Sequence, residues 1–164
     1  MASEKQLDQA LHAELEASDD FRRWFAGRLA AGPGFTKLIL CRSNHPWGKV
    51  RLIVPDPHSG ALVPIEREGE TDVLLVLEDA EGRRLGVHIE NKQTTSKFTK
   101  LQPELYAARA EAWIGSDTHG SYTQWETVLI APAAFISRNR EEVRKFITSI
   151  TYEEMAERVQ LFGT

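Results

Sequence analysis

Apolar positions change their spacing several times along this chain, and each change marks an element. Residues 73–77, Val-Leu-Leu-Val-Leu, form an unbroken apolar run. A polar turn follows at Glu81-Gly82. Beyond it the pattern alternates: Leu85, Val87 and Ile89 fall on one face, and His88, Glu90 and Lys92 on the other. Two apolar runs about a short polar turn predict a β-hairpin. Upstream, residues 4–30 read as one helix. Ser3 and Gln6 make a capping-box pattern, and Leu7, Ala10, Leu11, Leu15 and Phe21 lie on one stripe that Trp24 and Phe25 extend. The Gly-Pro-Gly at 32–34 ends it.

Residues 36–41 and 49–54 read as strands. The polar loop between them carries Arg42, Asn44, His45 and Trp47, either to touch nucleic acid or as a plain surface loop with Trp47 tucked beneath. Asp56 and His58 are read as turn chemistry. Glu66 and Glu68 precede the 73–77 strand and alternate with it. A helix begins at Gln102-Pro103, with proline in its first turn, and ends near Ile114-Gly115. Residues 115–121 read as a loop or flap and 125–131 as a further strand. Residues 139–150 and 152–161 read as one or two amphipathic helices, built on Phe146, Ile147 and Ile150 and on Met155, Val159 and Phe162. The order predicts a single α/β domain spanning 1–164, with a central mixed β-sheet flanked by helices and extra C-terminal helices.

Composition narrows the class. A chain of 164 residues, 41% hydrophobic and 27% charged, fits one soluble globular domain. The lone Cys41 allows no intrachain disulfide and points to a reducing compartment. No apolar run approaches the ~18 residues of a membrane span, and the N-terminus lacks a signal-peptide core, so a cytoplasmic location in a microbe is expected. A net charge of −4 does not advertise nucleic-acid binding, although a local basic patch can act within an acidic total.

The chemistry concentrates around the predicted hairpin. Glu90 and Lys92 point the same way from one strand, and Asp72 leads into the partner strand, where pairing brings it beside Glu90. Two carboxylates and an ammonium converging at a sheet end suit a divalent cation held by oxygen, Mg²⁺ with Mn²⁺ as its substitute. Asp72, followed by Glu90-Asn91-Lys92, resembles the D…(D/E)xK signature of the PD-(D/E)XK nuclease superfamily, with Thr71 in place of the proline. Gln102-x-x-x-Tyr106 resembles the QxxxY motif of its RecB-type branch. The resemblance is best over 69–106.

It implies a restriction-endonuclease-like αβββαβ core and hydrolysis of DNA to 5′-phosphate and 3′-hydroxyl ends. It implies metal ligation by Asp72, Glu90 and the Asn91 carbonyl, with Lys92 orienting or deprotonating the attacking water. Gln102 would touch the Lys92 neighbourhood or a nucleotide, and Tyr106 a phosphate, unless it packs in the core. A first-helix acid often adds a metal contact in this superfamily. Glu14, inside the apolar stripe, is the candidate, with Asp8 at its edge as the alternative. Arg109, a turn beyond Tyr106, would pair with substrate backbone. The segment 93–100, rich in hydroxyls and carrying two lysines, is the candidate DNA-backbone contact. His88 is left as structural. A bare core of this size needs DNA brought to it by a homodimer or a targeting partner, in defence against foreign DNA or in repair. The competing expectation is a catalytically silent nuclease fold serving as a protein-interaction or nucleic-acid-binding module.

Overall fold

The turn at residues 79–83 sets the register of the central hairpin. The Asp79 carboxylate accepts from the backbone N–H groups of Glu81 and Arg83 at 3.0 and 2.8 Å, and Gly82 supplies a left-handed φ of 79°. In the computed structural model, which describes residues 1–164, the turn joins β4 (Val73–Glu78) to β5 (Arg84–Asn91). Val73 opposes Ile89, Leu75 opposes Val87 and Leu77 opposes Leu85. One face of this hairpin is therefore wholly apolar.

That face is covered by α1 (Glu4–Ala17) and α2 (Asp19–Arg28). Leu7, Leu11 and Leu15 of α1, with Phe21 and Phe25 of α2, join it in a core cluster of 19 buried residues. Each such side chain contributes about 1.5–3 kcal/mol by leaving water. The expected capping box of Ser3 and Gln6 is present. The expected single helix over 4–30 is not. Ser18 is extended (φ −126°, ψ 112°) and its hydroxyl accepts from the Phe21 N–H, so the chain restarts there as a second helix.

The main sheet has five strands in the order β1 (Lys37–Arg42), β4, β5, β6 (Gln124–Ala131) and β7 (Thr148–Thr151). β1, β4 and β5 pair antiparallel, and β5, β6 and β7 pair parallel. The parallel step from β5 to β6 requires a crossover, supplied by α3 (Gln102–Ala112) on the face opposite α1. On that face Tyr106 packs with Leu129, Phe135 and Phe146. The result is a mixed sheet with helices on both sides, as expected. Residues 139–150 depart from expectation. After α4 (Ala133–Arg138) they form only the one-turn helix α5 (Arg140–Val143) and the start of strand β7, and Tyr152–Ala156 forms α6. The Thr-Ser-Ile-Thr of β7 is β-branched at three of four positions, and pairing with β6 outweighs the helical spacing of Phe146 and Ile150.

β2 (Trp47–Pro55) and β3 (Leu62–Glu70) form a separate two-stranded ribbon inserted between β1 and β4, its inner face on α3. Glu66 and Glu68 are exposed on its outer face, where Glu68 pairs with Lys49 at 3.6 Å. They do not continue into the Asp72 strand. Trp47 is exposed, not tucked beneath its loop. Asp56 accepts from the N–H groups of His58 and Ser59, which is turn chemistry.

Candidate metal centre

The centre is assembled where β4 begins and β5 ends. The pairing of Val73 with Ile89 carries Asp72 opposite Glu90. Three contacts fix the chain at this point. Thr71 N–H donates to the Pro46 carbonyl at 3.0 Å, the Arg109 guanidinium donates to the Glu70 carbonyl, and Asp72 N–H donates to the Tyr106 hydroxyl at 3.1 Å. The Asp72 carboxylate then accepts from the Asn91 N–H at 2.9 Å.

Glu90 is 3% exposed. A single carboxylate oxygen takes the Lys92 ammonium at 2.8 Å and the Gln102 amide at 2.7 Å. Period-2 geometry puts Glu90 and Lys92 on one face, and α3 starts with Gln102 beside them. The Lys92 ammonium also lies 5.6 Å from the centre of the Phe98 ring, a cation–π arrangement.

Two further side chains arrive from distant sequence. Asp8 on α1 is 1% exposed; one oxygen accepts from the Asn91 side-chain amide at 3.1 Å and the other meets His45 Nε2 at 3.2 Å. Asn91 thus holds both aspartates, one by its backbone and one by its side chain. Its own amide oxygen accepts from the Tyr152 hydroxyl. His45 stands in the loop between β1 and β2 with φ 53°, an uncommon backbone for a non-glycine residue. Its Nδ1 lies 2.9 Å from Glu70 and 3.9 Å from Asp72. One ligand atom each from Asp8, His45 and Asp72 falls within 4.8 Å of the others.

Burial and mutual repulsion bear on both aspartates of this cluster. Burial, then the neighbouring charges of Glu90 and Asp8, push the Asp72 carboxyl up to about 9. Burial pushes Asp8 up to about 6, against the hydrogen bonds from Asn91 and His45. For His45 burial acts downward, but the carboxylates of Glu70 and Asp8 together outweigh it, and the imidazole is raised. Three carboxylates share one poorly solvated place, with Lys92, His45 and the buried Arg109 guanidinium as the cations near them. A divalent ion would satisfy the oxygens directly. The donor set fits one: Asp72 and Asp8 offer hard oxygens, Glu90 stands beside Asp72 but outside the 4.8 Å group and is held by Lys92 and Gln102, and His45, backed by Glu70, offers the imidazole nitrogen that favours transition metals over Mg²⁺.

The sequence-derived residues divide accordingly. Asp72, Glu90, Asn91, Lys92 and Gln102 come together. Tyr106 is adjacent but 1% exposed, its hydroxyl taken up by the Asp72 N–H and, at 3.4 Å, the Ile89 carbonyl. It braces the two strand ends from within the core, the packing alternative of the two expected for it. Arg109 is likewise buried, its guanidinium donating to the Thr71 hydroxyl and the Glu70 carbonyl. Asn91 joins the cluster through its N–H, on Asp72, and its side-chain amide, on Asp8.

The first-helix acid is Asp8, not Glu14. At about 100° per residue, Asp8 and Glu14 flank the Leu7–Leu11–Leu15 stripe on opposite edges, and they stand about 9 Å apart along the axis. Asp8's edge faces the end of β5, whereas Glu14 is half-exposed and outside the ligand cluster. On the wheel Glu14 falls between Leu7 and Ala10, but Ala10 is only half-buried and Phe21 belongs to α2, so the buried stripe of α1 is Leu7–Leu11–Leu15 and Glu14 lies at its edge. His88 is structural, buried between Thr71 at 2.9 Å and Tyr122 at 3.0 Å.

His45, Glu70 and Tyr152 were missed. No spacing pattern marks them, because each reaches the cluster through the turn of a loop or the docking of α6. Comparisons with protein-family models, with curated proteins and with solved structures found no significant match to this chain.

Proposed function

We propose that this chain is a divalent-cation-dependent deoxyribonuclease of the PD-(D/E)XK type. The observation that carries the reading is the meeting of Asp72, Glu90 and Lys92 at one sheet end, with Asp8 and His45 closing the cluster. The element order around them supports it. A helix, three antiparallel strands, a crossover helix and a parallel strand follow in the order the resemblance implies, once the β2–β3 ribbon is set aside as an insertion.

In this reading Asp72, Glu90 and Asp8 hold the ion, with His45 as a further ligand and Asn91 fixing both aspartates. A bound divalent ion would supply a water of lowered pKa and a Lewis acid for the phosphoryl oxygen. Lys92, beside Glu90, orients the attacking water and offsets negative charge as it grows on the phosphate. Gln102 holds Glu90 in the rotamer that keeps Lys92 in place. Tyr106 and Arg109 keep the Asp72 backbone rigid, which matters because a displacement of about 1 Å costs on the order of 10²-fold in rate.

Plasmid and oligonucleotide substrates incubated with Mg²⁺ or Mn²⁺ test the reading, using wild type, Asp72→Ala and Lys92→Ala. Cleavage by wild type alone supports it, and equal cleavage by all three means a contaminant. Metal binding without cleavage of any substrate favours the second reading, a silent nuclease fold acting as a binding module. One feature favours that alternative: Lys92 is engaged in a close ion pair with Glu90.

A further inference from the structure

Beyond Lys92 the chain forms an open groove of about 670 Å³, lined by Thr94, Thr95, Ser96, Lys97, Arg138 and Asn139. Its position follows from three anchors. Gln93 N–H donates to Ser96 Oγ at 3.0 Å, which tightens the start of the loop, and Ser96 in turn donates to Glu4 of α1. Phe98 packs on Phe135 and Phe146, with ring centres 5.3 and 5.9 Å away. The Arg138 guanidinium donates to the Thr94 carbonyl, tying α4 to the loop. Phe98 is shared by both places. It lines the groove, and the Lys92 ammonium sits over its ring.

The charges around the groove are unevenly spent. Its nearby acids are largely engaged: Glu142 at the wall and Glu104 share Lys145, at 2.9 and 2.6 Å, Glu141 pairs with Arg144, and Glu4 accepts from Ser96. Lys97, Lys100, Arg138 and Arg140 have no carboxylate partner within 4.0 Å. Lys97 and Lys100 are exposed, as are the hydroxyl-bearing Thr94, Thr95 and Thr99. Hydroxyls, ammonium groups and a guanidinium held by one edge are donors for phosphate oxygens.

We infer that this groove is a phosphate-backbone track: it takes the single-strand nucleic-acid backbone adjoining the bond held at the carboxylate cluster, through Lys97 and Arg138, without sequence preference. The identity of the polyanion rests on the nuclease reading. The track explains how a chain of net charge −4 holds a polyanion, since the favourable charge is gathered on one lip next to Lys92.

Binding of a short labelled single-stranded oligonucleotide, measured by anisotropy in EDTA over a range of KCl concentrations, tests this independently of hydrolysis. Wild type, Lys97→Ala, Lys97→Glu, Arg138→Ala and Lys37→Ala are compared. Lys37 is the control, because it lies at the far end of β1, paired with Glu78. Each of Lys97→Ala and Arg138→Ala is expected to flatten the slope of log K against log[salt] by about 0.7, the value for one single-strand phosphate contact. Lys97→Glu should weaken binding further, and Lys37→Ala should change nothing. Lys97 is exposed, so its variants test the track even where Arg138→Ala loosens the loop. Unchanged slopes for the Lys97 variants would overturn the inference while leaving any cleavage intact. Pyrophosphate binding with no oligonucleotide binding would overturn it too, by assigning the groove to small phosphates. The expected slope changes without cleavage in Mn²⁺ would remove the nuclease reading and keep the track.

Discussion

The backbone N–H of Asp72 donates to the hydroxyl of Tyr106 at 3.1 Å. Asp72 stands one residue before β4, where the ladder gives its N–H no partner, and α3 brings a phenol to satisfy it. The same hydroxyl reaches the Ile89 carbonyl on β5. The mouth of the hairpin, and with it the spacing of Asp72 and Glu90, is therefore braced from the crossover helix.

Tyr106→Phe keeps the ring packing and removes only this bracing. It leaves the partly buried Asp72 N–H without its partner, at a cost of about 1 kcal/mol. Urea unfolding is expected to show that loss with an unchanged m-value. Mn²⁺ affinity should fall less than for Asp72→Ala, since no ligand is removed. A stability equal to wild type would mean the hydroxyl braces nothing.

Asp8 and Glu14 separate in a single experiment. Asp8→Ala should weaken Mn²⁺ binding by at least about tenfold, the scale on which even supporting partners of metal sites act. Glu14→Ala should leave it unchanged, because Glu14 lies on the other edge of α1. Calorimetry or Mn²⁺ electron paramagnetic resonance reads both. Equal effects of the two substitutions would place the ion elsewhere.

Metal-free protein is expected to lose stability as pH rises. Asp72 has an ordinary value of 3.8 and is pushed up to about 9 in the folded chain, and Asp8 to about 6. The folded state therefore binds protons that the unfolded state has released, so unfolding becomes easier with rising pH. The stabilisation is full below about 4 and disappears as pH passes through about 6 and then about 9. The raised His45 has the same sign. A divalent ion replaces the protons, so Mn²⁺ should flatten the profile. Thermal melts from acid to alkaline pH, in EDTA and in Mn²⁺, check this. A flat profile in EDTA would contradict the electrostatic account of the cluster.

Lys92→Ala should cost stability as well as activity. Lys92 and Glu90 form a buried pair, their side chains 10% and 4% exposed. Removing one member of such a pair costs about 3–5 kcal/mol, because the other charge stays buried alone. Mn²⁺ bound near Glu90 should return part of this loss. Melts of the variant with and without metal therefore separate a folding defect from a catalytic one.

Much of the fold was legible because it is written in local periods. The Leu85–Val87–Ile89 alternation and the Asp79–Arg83 turn fixed the hairpin, and the hairpin fixed which faces Glu90 and Lys92 share. The start of α3 at Gln102 was legible from Pro103. Ser18 and Thr148–Thr151 were not. A serine inside an amphipathic stretch is compatible with helix, and the N-cap signal of Ser18 with Asp19 and Asp20 behind it is masked by the apolar stripe that continues through it. Thr148–Thr151 becomes a strand because β6 offers an open edge, a fact that its own four residues do not contain.

The sequence by itself determined the pair Asp72 and Glu90 with Lys92 beside them, since turn, register and strand period are short-range properties. Tertiary structure alone decided that Asp8, and not Glu14, joins them, that His45 turns inward to Asp8 and Glu70, and that Arg109 is sealed beneath the chain it supports. The reason is geometric. A helix pattern says which stripe is buried but not which edge of that stripe meets the end of a given strand, and a loop carries no period at all.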